Sequence, residues 1–102
     1  QLLRIIQGGY SFTGVALFDF MYYLGKTYKS NADDWYYKVV EFNSFYVRSV
    51  LVRTLSIGTH SQNPVSFIGR IRSGELIEIE EEVFNKELKQ VGTQLLNLVM
   101  IT

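Results

Sequence analysis

Apolar and polar positions alternate with period two along much of this chain, and that alternation predicts strands. Over residues 10 to 24 the even positions read Tyr10, Phe12, Gly14, Ala16, Phe18, Phe20, Tyr22 and Leu24, while Ser11, Thr13 and Asp19 occupy odd ones. Aromatic content suits a pleated, half-buried surface, so a long strand is expected, with Gly14 as a bulge or a point of close approach. A buried helix capped by Ser11 or Thr13 is the competing reading, because short apolar runs are ambiguous by pattern alone. Gly8-Gly9 separates this run from a short apolar start at residues 2 to 6, and the polar cluster at residues 30 to 34 closes its far side as a loop.

Residues 35 to 42 read as a second strand and residues 45 to 57 as a third. In the third, Phe45, Val47, Leu51, Leu55 and Ile57 share one face and Tyr46, Arg48, Val50, Val52 and Thr54 the other. Ser49 and Arg53 interrupt the first face, so a bend or bulge is expected near the middle. Residues 58 to 64, rich in turn formers and ending in Pro64, predict a loop. Residues 65 to 72 and 75 to 80 then flank Ser73-Gly74 as a hairpin, with Arg70 and Arg72 facing Glu75 or Glu78 across it. Residues 83 to 92 form the one expected helix: Phe84, Leu88 and Val91 fall on one face, Glu80, Glu81 and Glu82 precede them, and Gly92 marks the stop. Residues 94 to 101 close the chain as an apolar strand. The expected class is α+β and β-rich, an antiparallel sandwich or partly open barrel of about six or seven strands with one helix in the C-terminal region. Residues 1 to 102 are expected to form a single domain.

Composition narrows the functional classes. Aromatic content of 15% against 20% charged residues describes a chain that folds. No cysteine is present, which removes disulfides, thiolate metal sites and cysteine nucleophiles and fits a cytoplasmic location. Ten basic and ten acidic residues balance to zero, so no global field draws the chain to nucleic acid or an anionic membrane. The balance is uneven: residues 1 to 74 hold eight Lys/Arg against four Asp/Glu, and residues 75 to 102 hold two against six. The chain starts at Gln1 instead of Met, as expected of a trimmed, processed or partial chain. Its longest apolar run, residues 10 to 25, carries Asp19 and falls short of the roughly 20 residues a membrane span needs. No membrane contact is expected.

The lone imidazole, His60, sits between Thr59 and Ser61, but adjacency supplies neither an orienting acid nor an oxyanion site. The acids cluster as Asp33-Asp34 and Glu80 to Glu82, not at calcium-loop spacing, and no phosphate-cradling motif is present. No enzyme activity, cofactor, metal or small-molecule ligand is therefore expected. Aromatic and basic residues interleave, as in single-strand nucleic-acid binders, and Tyr37, Arg48, Arg53, Arg70 and Arg72 are the candidates for that role. Apolar residues on both sides of several strands favour protein contact instead: Val50 and Val52 lie opposite Leu51 and Leu55, and one helix covers only part of such a surface. The favoured expectation is a non-catalytic interaction or assembly module that binds protein, including its own copies, through strand faces or edges. Tyr23, Tyr46, Val50 and Val52 are the candidate interface residues.

Overall fold

A computed structural model describes residues 20–101 and builds one antiparallel sheet covered by helices on both faces. The chain runs β1 (Thr27–Ser30), β2 (Tyr36–Phe42), β3 (Val47–Arg53), β4 (Ser56–Gln62), α1 (Pro64–Arg72), β5 (Leu76–Ile79) and α2 (Glu81–Ile101). Strand order is β4-β3-β2-β1-β5. The first four strands form a meander, and α1 carries the chain back across one face to place β5 beside β1. The α+β class and the antiparallel sheet stand. Among the described residues the sheet is open, with five strands where six or seven were expected, and it is neither a barrel nor a sandwich of two sheets.

The side-chain period of a strand explains why two helical layers are needed. Along β3, Val47, Ser49 and Leu51 face α1, while Val50 and Val52 face α2. On the α1 side Phe67 enters an aromatic cluster with Tyr28, Tyr37, Val39, Phe42 and Leu76. Phe42 also stacks on Tyr23 with ring centroids 5.5 Å apart. On the other side Phe84, Leu88, Val91 and Leu95 of α2 pack on Tyr36, Val50, Val52 and Ile79. Spacings of four, three and four keep these helical residues on one stripe. β2 is irregular between Val39 and Glu41, where Val40 is an extra, exposed residue that restores the register with β3.

Several expected elements change type. Residues 20–23 are helical, so the long strand expected over residues 10 to 24 does not extend through them; residues 1 to 19, with Gly8-Gly9 and Gly14, lie outside the described residues. The third strand splits into β3 and β4 at Thr54-Leu55, where Leu55 adopts a left-handed φ of 61°. A non-glycine residue there carries a cost of about 1–2 kcal/mol, which the hairpin pairing must offset. The polar stretch expected as a loop becomes β4, because every residue from Ser56 to Gln62 finds a partner on β3.

Residues 65 to 72 form a helix and not a hairpin arm. Asn63 caps it by accepting hydrogen bonds from the Val65 and Ser66 amides at 2.8 and 3.3 Å, and Pro64 supplies a preset φ for the first turn. Ser73-Gly74 is the helix exit: Gly74 has φ +86° and donates its amide to the Ile71 carbonyl at 3.1 Å. At the C-terminus the helix expected to stop at Gly92 continues to Ile101 and absorbs the expected last strand. Leu95 extends the buried stripe past Gly92, and packing overrides the weak stop signal.

A Cβ added at Gly92 meets no atom within 4 Å. Gly92→Ala should therefore stabilise the protein by about 1 kcal/mol, read as a higher urea midpoint at unchanged slope. An unchanged or lower midpoint would contradict a continuous helix there.

Burial, reinforced by the charge of Glu78, pushes the Tyr28 phenol above its ordinary pKa of 10.0. The unfolded chain ionises Tyr28 from about pH 10 while the folded one keeps its proton, so the folded state binds more protons there and stability falls as pH rises. Unfolding measured from pH 9 to 11.5 should show that fall begin near pH 10, at up to about 1.4 kcal/mol per pH unit from this group, and Tyr28→Phe should flatten it.

Candidate functional site

The two edges of the sheet differ in how well they are protected. β5 has four residues, includes Glu78, and is bordered by the Lys26 ammonium 3.0 Å from that carboxylate. β4 has seven residues and pairs only with β3 among the described residues. From Ile57 to Ser61 all its side chains are exposed. It contains no charge, no proline and no bulge, the devices that normally blunt an edge. Alternate residues of such a strand direct N–H and C=O groups away from the sheet.

The same side of the sheet carries exposed apolar surface. α2 begins beside β5 and lies across β1, β2, β3 and β4. Its 21 residues measure about 31 Å at 1.5 Å per residue, whereas five strands span roughly 19 Å at 4.8 Å spacing. The helix outruns the sheet, and Leu96, Leu98 and Met100 in its last turns are exposed. No helix among the described residues is long and apolar enough to cross a membrane.

The residues singled out from sequence are scattered. Val52 is fully buried and Val50 partly buried beneath α2, so the chain's own helix covers the apolar face assigned to a partner. Tyr23 packs in the aromatic cluster. Tyr46 donates its hydroxyl to Glu41 at 2.7 Å, and Arg48 lies over its ring at 5.0 Å. Arg48 also bonds Glu41 at 2.9 Å, on the α2 face. Tyr37 is buried on the opposite face, where its hydroxyl accepts from Arg70 Nη2 at 3.0 Å while Arg70 Nε donates to Glu75 at 2.7 Å. That pair joins a helix to the start of β5 and is not the cross-strand contact expected. Arg72 is exposed at the end of α1. Arg53 lies over the Trp35 ring at 4.3 Å.

Strand geometry also separates the two groups of the only imidazole motif. His60 and Ser61 point to opposite faces of β4, and Ser61 Oγ accepts a hydrogen bond from Arg48 Nε at 3.3 Å. Two buried polar atoms near this edge, Ser49 Oγ and Gln62 Nε2, have no hydrogen-bond partner among the described residues. Desolvation of each costs on the order of 1–3 kcal/mol.

A shallow, open depression of about 560 Å³ lies at the opposite end, between the start of β1 and the start of α2. Glu78, Glu80 and Glu81 rim it, but Lys26 bonds Glu78 and Lys38 bonds Glu81 at 2.9 Å. The bond to Glu78 raises the Lys26 pKa above its ordinary value. Among the described residues no group of three or more His, Asp or Glu side chains is placed to hold a metal ion.

Sequence reasoning missed the β4 edge because Gly58, Thr59, Ser61 and Asn63 read as loop formers. Compared with known proteins, the chain matches no family model, no curated protein and no solved structure.

Proposed function

We propose that this chain is a non-catalytic interaction module that binds protein by taking an extended segment onto the edge of β4 that is unpaired among the described residues. One observation carries the proposal: β4 is a seven-residue, uncharged, exposed edge strand, while β5 is short and charged. Main-chain hydrogen bonds would supply affinity, each worth about 0.5–1.5 kcal/mol net. Ile57 and Thr59 on the α2 side, and Gly58 and His60 on the α1 side, would contact alternate side chains of the incoming segment. Peptides selected from a random library on the immobilised protein should slow hydrogen exchange over residues 56–62 and leave β5 unchanged. Protection confined to other elements would remove β4 as the site.

A second reading, binding of single-stranded nucleic acid, draws on Arg53 stacked over Trp35 at 4.3 Å. Arg53 forms no ion pair among the described residues, so its charge is open to a phosphate. Arg48 and Arg70, by contrast, are paired with carboxylates on opposite faces of the sheet. Under this reading, oligothymidylate at low salt should quench the fluorescence of Trp35, and both added salt and Arg53→Ala should abolish the quenching. Emission that stays constant at low salt would exclude it.

A further inference from the structure

We propose that the segment taken up by β4 is β4 of a second copy, paired antiparallel across a two-fold axis to join two five-stranded sheets into one. This rests on the strand-addition reading and names its partner.

Self-pairing sets a condition that heterologous pairing does not. Across a dyad centred on Thr59, Ser56 meets Gln62 of the other copy, Ile57 meets Ser61, Gly58 meets His60, and Thr59 meets itself. A lysine or glutamate at the centre would face its own like charge, which cross-strand pairing penalises. β4 is the strand among the five that has no Lys, Arg, Asp or Glu: β1 holds Lys29, β2 Lys38 and Glu41, β3 Arg48 and Arg53, and β5 Glu78. Of the two strands at an edge among the described residues, the longer one is thus the one whose composition tolerates its own image.

The second condition is cover for the exposed end of α2. Antiparallel strands are related by an axis perpendicular to the sheet, so both α2 helices fall on the same face of the joined sheet. Each begins at a β5 edge and reaches β4. Their exposed ends, with Leu96, Leu98 and Met100, therefore meet above the junction, where each supplies apolar surface to the other. The zero net charge of the chain leaves no long-range repulsion between copies.

A charge-swap experiment tests the pairing. Wild type, Thr59→Lys and Thr59→Glu are compared by sedimentation equilibrium over a concentration series, with circular dichroism to check that each is folded. Wild type should dimerise. Each variant alone should dissociate with a constant raised by up to about fivefold by the like charges at the dyad, and an equimolar mixture of the two should recover the dimer. A wild-type dimer untouched by either charge places association on another surface and overturns the proposal. Wild type that stays monomeric at high concentration also overturns it. In that case peptides that still protect residues 56–62 keep the strand-addition reading alive with a different partner, while loss of both results removes that reading too.

Discussion

Burial on both faces of one strand is the constraint from which the rest of this structure follows. β3 directs Val47 and Leu51 to one side and Val50 and Val52 to the other, so a helix on one face alone would leave two valines in water. Fully burying such a side chain contributes about 1.5–3 kcal/mol. The chain meets the demand with α1 and its aromatic cluster below and α2 above. The order of elements follows: α1 must cross from the β4 edge to the β5 edge, and α2 must cross back.

That arrangement protects the centre of the sheet and one of its edges. β2, β3 and β1 have neighbours on both sides, and β5 is short and bordered by the Lys26–Glu78 ion pair. Exposed ion pairs of this kind contribute little to stability, about 0–1 kcal/mol. What distinguishes β5 is its short length and the charge of Glu78 within it. β4 has no equivalent, and the helix that crosses the sheet towards it ends in exposed leucines and a methionine. Backbone groups unpaired among the described residues, together with exposed apolar surface on the same side, are the physical basis for proposing association there.

The sequence reading captured features whose causes are local and misread those whose causes are distant. β2 and β3 were legible because their alternation reports two buried faces directly. The start of α2 was legible from Glu81 and Glu82 at the positive end of the helix dipole and from the Phe84, Leu88, Val91 stripe. α1 is also written locally, in Asn63 as a cap and Pro64 at the first helical position, but the same two residue types suit the end of a loop. The turn signal of Ser73-Gly74 then suggests a hairpin arm over residues 65 to 72, whereas Phe67, Ile68 and Ile71 lie on the buried side of a helix. The nine-residue helix is held as much by Phe67 in the aromatic cluster as by its own propensity, because isolated helices of that length are marginal.

From the sequence alone came the α+β character, the antiparallel sheet, the strand β2 and the amphipathic start of α2. All depend on the periodicity of apolar side chains, which is a property of neighbouring residues. The tertiary structure decided that Ser56 to Gln62 is a strand, because only Ile57 and Thr59 in it favour strands by type and the segment is ordered by pairing with β3. It decided that Gly92 does not end α2, because Leu95 finds the sheet beyond it. It also decided which apolar surface stays exposed: Val50 and Val52 are covered by the distant helix α2, while the outer edge of β4 is unpaired among the described residues and the end of α2 is exposed. Which surface is covered depends on the path of the whole chain, and no local pattern encodes it.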